Sequence, residues 1–356
     1  DFFRFEQQER TLLNNAILFG THANQFYWSE NSDEIMSFLR ELAVADSGNQ
    51  KLTSLGKRTY LLSLLNTKYL FLKENEPAPF GFEAFTRFST KDKSYIVYKN
   101  KNALPFGVTY PACISKGQFS KLNFAERSEA LLTYALLPDE WAKSYPQILT
   151  DTPLTKTIEK NKYSVSYDSD IERHGQDFIV KKEKAKIEVL FDFTPDAENY
   201  LLLDNFVYNK NNDDCVIRMY LNGEFFRQRD LDPAYWAWGH NNLIQLPELG
   251  EKDNLLVIEF ETKGSYTLNS LEILSQKTDM LSDSVASLSK EKLENVTFSA
   301  NKIHGEITVS EAKILSLSIP YSKGWTAYIN GEKGELLNTQ IMYSGLFLEP
   351  GSYTID

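Results

Sequence analysis

Two hydrophobic periods divide the chain. Before about residue 150 the apolar positions alternate between helical and strand spacing. Ile35, Phe38, Leu39 and Leu42 keep the three-to-four spacing of one helical face, behind the capping-box-like start Asn31-Ser32-Asp33-Glu34. A second short helix fits residues 58–65. A third begins at Asn123, with Glu126 three positions on; it would bury Phe124, Leu131, Leu132 and Ala135 and stop before Pro138. Between these lie an apolar run at 69–72, short enough for one buried strand, an alternating strand at 94–99 and a strand within 107–114.

From about residue 155 a period of two takes over. Alternating runs occupy 163–167, 186–193, 200–203, 216–221 and 254–260, separated by turn residues. Residues 279–295 are polar and read as a linker or a short amphipathic helix. Strands then resume at 296–299, 305–309, 312–319, 325–329, 345–348 and 353–355. The expected architecture is an α+β domain at 1–153, followed by mainly antiparallel β in two jelly-roll-like sandwich lobes, 154–278 and 279–356. The last strand is cut short and both ends read as cuts through a longer protein. The lobes share a weak repeat. Tyr220-Leu221-Asn222-Gly223-Glu224 echoes Tyr328-Ile329-Asn330-Gly331-Glu332, and each Asn-Gly pair signals a hairpin whose two turn residues need positive φ. The first copy carries an aromatic insertion between its hairpin and its next strand.

Composition narrows the function. With 356 residues and 42% hydrophobic content the chain can bury sizeable cores. A net charge of −11 argues against a sequence-independent binder of nucleic-acid backbone and against broad electrostatic adhesion to anionic lipid. No run approaches the roughly 18 apolar residues of a membrane helix, and no signal peptide opens the chain. The two cysteines, Cys113 and Cys215, would be free to pair in an oxidising compartment or to stay as thiols; their spacing leaves both open.

Three separated stretches carry a family resemblance. Lys68-Tyr69 closes a Leu-Leu-Asn-Thr-Lys-Tyr-Leu segment; Val97-Tyr98-Lys99-Asn100 and Asn102-Ala103-Leu104-Pro105 follow; and far downstream stands Tyr321-Ser322-Lys323-Gly324-Trp325-Thr326-Ala327-Tyr328-Ile329-Asn330-Gly331. In order and content they resemble the extracellular part of YfhO-like bacterial membrane proteins. That family is similar to GT-C-type glycosyltransferases, which take sugar from a polyprenyl-phosphate carrier; members decorate lipoteichoic acid in Gram-positive bacteria. The resemblance implies an outer domain held at the outer membrane face by helices absent from this chain. Its partners would be the membrane-embedded catalytic region of the same polypeptide and a cell-envelope glycopolymer. The polyprenyl-phosphate-sugar donor would belong to the full-length protein. Nothing in the chain matches the family's catalytic part, so no catalytic residue, cofactor or metal is expected in it.

Two clusters are candidate contacts. Tyr235, Trp236 and Trp238 stand beside His240, Asn241 and Asn242, flanked by turn residues. Sugars present C–H faces that pack on aromatic rings and hydroxyls that Asn and His can bond. The commoner role of clustered aromatics is packing, with Trp236 and Trp238 on one strand face filling the core. Arg87, Lys91, Lys93, Lys99 and Lys101 form a basic run suited to a polyanion such as teichoic acid, although strand alternation sends Lys to the solvent face in any case. Trp325 reads as a core anchor of its sandwich. The four histidines are scattered, with no metal-ligand spacing and no G-x-S-x-G elbow. The reading is an accessory domain that binds or braces. The alternatives are a stand-alone secreted carbohydrate-binding or adhesion protein, and a soluble glycan hydrolase whose acid/base pair the sequence does not reveal.

Overall fold

The computed structural model describes residues 2–7, 13–48, 50–151, 155, 157–210, 215–231, 240–247 and 252–356, with only the backbone of Asp230. Strands hold 47% of the described residues and helices 14%, arranged as several mainly antiparallel sheets, so the chain is an α+β region followed by β-sandwich lobes. Two compact units result. Residues 1–41, 50–156 and 279–356 make one; residues 42–49 and 157–278 make the other.

The first unit starts from a four-stranded sheet ordered Arg4–Gln7, Thr67–Lys73, Ser94–Asn100, Phe82–Ser89, its first pair parallel. Alternation sorts its faces. Leu70 and Leu72 point into the core, while Phe71 and Tyr95 share the opposite face with Phe88, whose ring stacks on Tyr95 at 5.2 Å. The helices Asp33–Glu41 and Thr59–Leu64 lie where their periodicity puts them. Asn123 and Glu126 close a capping box on the helix Phe124–Leu131, the side-chain oxygen of Asn123 accepting from both Ala125 N and Glu126 N.

The spacing predicts that this helix runs on toward Pro138. It ends at Leu131 instead, and Ala135–Leu137 is a strand parallel to Cys113–Ser115. A residue far along the chain meets this helix end. Gln340, fully buried, donates from Nε2 to the carbonyls of Leu131 (2.7 Å) and Tyr134 (3.1 Å) and accepts from Leu136 N at 2.6 Å. With the Tyr110 hydroxyl, which donates to Leu131 O at 3.0 Å, it satisfies backbone groups where the helix gives way to the strand.

Residues 279–356, set apart by the sequence pattern, share a sheet with the N-terminal region. The strand Gly107–Tyr110 pairs with Lys313–Pro320 in the order Leu337–Thr339, Tyr343–Leu348, Lys313–Pro320, Gly107–Tyr110. A second sheet runs Glu294–Phe298, Ile303–Val309, Gly351–Ile355, Ala327–Ile329, Glu332–Gly334. Phe106, Ile307, Leu315, Leu317, Leu346 and Leu348 belong to the core of this sandwich. The polar segment before it holds the helix Leu281–Leu288, amphipathic as its pattern allows, with Leu281, Val285 and Leu288 buried.

The second unit is the other sandwich. A five-stranded sheet (Tyr163–Tyr167, Lys186–Phe191, Asn254–Phe260, Val216–Leu221, Glu224–Asp230) accompanies a four-stranded one (Ile158–Lys160, Ser270–Lys277, Ala197–Asp204, Asn242–Gln245). Strict alternation in Lys186–Phe191 sends Ile187, Val189 and Phe191 inward. Both Asn-Gly pairs turn as their residues require: Asn222 and Gly223 at φ +52° and +85°, Asn330 and Gly331 at +52° and +83°. Cys113 and Cys215 are both buried, Cys215 Sγ lies 3.2 Å from the Tyr266 hydroxyl, and burial pushes the Cys113 thiol up to about 11.

Candidate functional site

The motif stretches part company in the fold. The first two make a buried polar knot. Asn66, 1% exposed and at φ +56°, donates from Nδ2 to the carbonyls of Leu104 (2.6 Å) and Pro105 (2.7 Å). Its Oδ1 accepts from Arg4 Nη1 at 3.0 Å and from the Ser318 hydroxyl. Arg4 also reaches Ser318 Oγ (2.6 Å) and its carbonyl (2.7 Å). Asn100 repeats the device further along the chain: Nδ2 donates to Thr67 O at 3.1 Å and Oδ1 accepts from Asn102 N at 2.8 Å. Such a fully connected buried network specifies a chain path. It leaves these asparagines no free face for a ligand.

The third stretch opens outward. Ser322 builds a turn in which its hydroxyl accepts from Gly324 N (3.2 Å) and its carbonyl from Trp325 N (3.1 Å). Trp325 therefore sits ahead of the strand Ala327–Ile329, and it is 37% exposed. This corrects the core-anchor reading; Gly324 and Ser322 in front of it were the turn signal. Ala327 points into the core and Tyr328 out, 43% exposed. Both rings line a cleft of about 600 Å³ whose apolar wall includes Ile319, Leu336 and Leu346. That volume lies within the roughly 300–1,000 Å³ of small-molecule sites.

One corner of the cleft is charged. Asp356 exchanges two backbone hydrogen bonds with Tyr328, at 2.8 and 3.0 Å, which fixes its position. Its carboxylate accepts from Lys302 Nζ and His304 Nδ1, each at 2.8 Å. The Lys302 hydrogen bond, then the His304 one, hold the Asp356 carboxyl below the usual carboxylate range. Asn301 adds an amide to the lining. Stacking faces, an ion pair and an amide suit the recognition of a polyhydroxylated ligand. Tyr328, Lys302, His304 and Asp356 were not singled out from the sequence. Tyr328 had a signal in its motif; the other three come together only through pairing of Ile303–Val309 with Gly351–Ile355.

The residues singled out from the sequence distribute as follows. Tyr235, Trp236 and Trp238 lie outside the described residues. His240 is half-buried, and its carbonyl accepts from Phe206 N at 2.8 Å. Burial, and then the charge of Arg229, push its imidazole below the usual value. The Asn241 side chain accepts from Asn205 N at 2.8 Å and so locks a turn. Of the basic run, all five members are exposed, but pairing register splits them between sheet faces: Arg87 opposes Ile96, whereas Lys99 opposes Tyr69 and Glu83. Arg87 meets Glu74 at 3.3 Å and Lys101 pairs with Glu83. Lys93 lines a shallow depression with Lys73, Glu74, Asn75 and Ser94, and Lys91 lies in the turn before it. Among the described residues no group of three metal-ligating side chains converges, and no helix is long and apolar enough to cross a membrane.

Sandwich lobes with a cleft lined by Trp325, Tyr328 and the Lys302–Asp356 pair define a β-rich module. The family described as "Bacterial membrane protein YfhO" matches residues 1–356, and the chain belongs to it. It is 22% identical over 352 residues to the "Uncharacterized protein YfhO" of Bacillus subtilis, covering 96% of this chain and 39% of that protein, so it spans well under half of the relative. Among solved structures it is similar to a family 35 carbohydrate binding module from Clostridium thermocellum, with TM-score 0.23, 14% identity, and coverage of 34% of this chain and 99% of that one. It is also similar to the arabinofuranosyltransferase AftD from Mycobacteria, with TM-score 0.23, 10% identity, and coverage of 67% and 27%. Likenesses at these scores carry no argument about function.

Proposed function

We propose that the chain is the outer, recognition part of a membrane-embedded YfhO-family glycosyltransferase, and that the cleft rimmed by Trp325 and Tyr328 holds a sugar unit of the acceptor polymer. The observation that carries this reading is the cleft itself: motif residues form its rim and the Lys302–Asp356 pair its polar corner. A hexose would lay its C–H face on an indole or phenol ring and offer hydroxyls to Asn301, Lys302 and Asp356. The sugar donor, a polyprenyl-phosphate sugar, and the bond-making groups would belong to the membrane-embedded remainder of the polypeptide. The acceptor would be a cell-envelope polymer such as lipoteichoic acid, met on the outer face of the membrane. By itself the chain would bind or brace without turnover. Residues 235–241 remain a second proposed sugar contact, and the basic run within 87–101 a proposed polyanion contact.

Titration of the purified chain with lipoteichoic acid and with simple sugars tests this. Trp325→Ala and Tyr328→Ala are expected to weaken binding at least tenfold in a protein that unfolds at the parent's denaturant midpoint. Trp236→Ala and Trp238→Ala, measured alongside, divide the affinity between the cleft and residues 235–241. Absence of binding to any of these ligands would sink the reading. Sugar transfer by this chain alone from a polyprenyl-phosphate donor would refute its non-catalytic part.

A further inference from the structure

Among the described residues, the largest run of exposed apolar side chains shares no residue with the cleft lining. Ile17, Leu18 and Phe19 are consecutive and 59%, 81% and 73% exposed. Tyr27 and Trp28 are 47% and 48% exposed on the neighbouring strand segment. These side chains are held out by a built turn. Asn14, at φ +69°, donates from Nδ2 to Tyr27 O (2.7 Å) and accepts at Oδ1 from Tyr27 N (2.9 Å), which ties the short helix Asn15–Leu18 to the strand Phe26–Tyr27. Thr21 N returns to Ala16 O at 2.9 Å and closes the projection behind Phe19. Phe26–Tyr27 is itself paired with Lys51–Leu52.

The projection is also neutral. Residues 13–29 include no Asp, Glu, Lys or Arg, in a chain whose charged content is 24%. The one histidine there, His22, is pushed below its usual value by burial and then by Arg4, and stays uncharged at neutral pH. Three adjacent large apolar side chains in water form a patch of the kind that marks an interaction surface. Leu, Ile and Phe favour the hydrocarbon, and Trp and Tyr favour the membrane–water interface. A neutral projection carries no charge into the headgroup layer, so its entry is not opposed by the desolvation of an ion. The chain's net charge of −11 would oppose electrostatic attraction to an anionic surface, leaving apolar insertion as the available contact.

From this geometry and from the chain's membership of a membrane-protein family, we infer that the projection at residues 17–19, flanked by Tyr27 and Trp28, inserts into the interfacial layer of the lipid bilayer. The occupant is lipid. The contact depends on apolar area and is indifferent to headgroup charge. It seats this unit against the membrane whether or not the cleft binds sugar.

The test is co-sedimentation of the whole chain with vesicles of pure phosphatidylcholine and of phosphatidylcholine with phosphatidylglycerol, at low and high salt. Binding to both vesicle types with similar affinity and little salt dependence is expected. The double variant L18E/F19E should bind at least tenfold more weakly. Both positions are exposed, so circular dichroism should be unchanged; a second variant, Ile17→Ser, should weaken binding less and in the same direction. Four results would each overturn the inference. They are no binding to either vesicle, binding confined to anionic vesicles and abolished by salt, undiminished binding of the folded double variant, and self-association of the chain that the variant abolishes without any vesicle binding. The last result would assign the surface to a second copy.

Discussion

Asn66 and Trp325 both belong to short stretches that carry the family resemblance, yet the fold places them oppositely. Asn66 is sealed in the first unit with both its amide atoms bonded. Trp325 stands at the rim of a cleft. A residue with four hydrogen-bonding sites stabilises most where water cannot replace its partners. An aromatic ring binds a ligand only where one face stays open. The comparison teaches that a family motif by itself does not separate sealed positions from open ones; burial does.

Replacing Asn66 with Ala should have the largest effect. It would leave the carbonyls of Leu104 and Pro105 and the Arg4 guanidinium short of partners, and would lose at φ +56° the Asn side chain, which tolerates that left-handed conformation better than Ala. A loss of about 3–5 kcal/mol is expected from the denaturant midpoint. A loss under about 1 kcal/mol would mean that the knot is redundant. Trp325→Ala should behave in the reverse way, with less than about 1 kcal/mol of destabilisation and a large loss of polymer binding. A core-sized loss of about 3–5 kcal/mol would collapse the contrast between the two sites.

Finer effects sharpen it. Gly223→Ala and Gly331→Ala should each cost about 1 kcal/mol through positive φ alone, since a Cβ at either position meets no atom within 4 Å. Unequal costs, read by thermal unfolding, would show that the two echoing hairpins differ in load. The smallest effect concerns pH. Asp356 is held below the ordinary carboxylate value, so its contribution is present above the unfolded pKa of about 3.9 and fades as pH falls through the lower folded value. Cleft binding should then be level from neutral pH down to about 5 and decline only in stronger acid. Asp356→Asn should remove that acid decline.

Much of the fold was legible locally. The alternation at Lys186–Phe191, the Asn123–Glu126 capping box and both Asn-Gly turns follow from neighbouring residues, because period, caps and turn φ are set within a few positions. The end of the helix at Leu131 was not legible, since the groups that meet the Leu131 carbonyl are Gln340, 209 positions away, and the Tyr110 hydroxyl. The candidate site was half legible. Trp325 and Tyr328 stand in a recognisable stretch, but their exposure depends on a turn and on which face of the sheet each side chain takes. Lys302, His304 and Asp356 carry no shared local signal and meet through strand pairing.

The sequence by itself determined most element types, the two-sandwich character and the family, because these rest on periodicity, turn chemistry and short ordered motifs. The tertiary structure alone decided that Gly107–Tyr110 completes the C-terminal sandwich, that one motif is sealed while another is open, and that a neutral apolar projection faces outward. Those outcomes depend on which distant segments exclude water from which side chains, and burial is a property of the packed chain, not of any window along it.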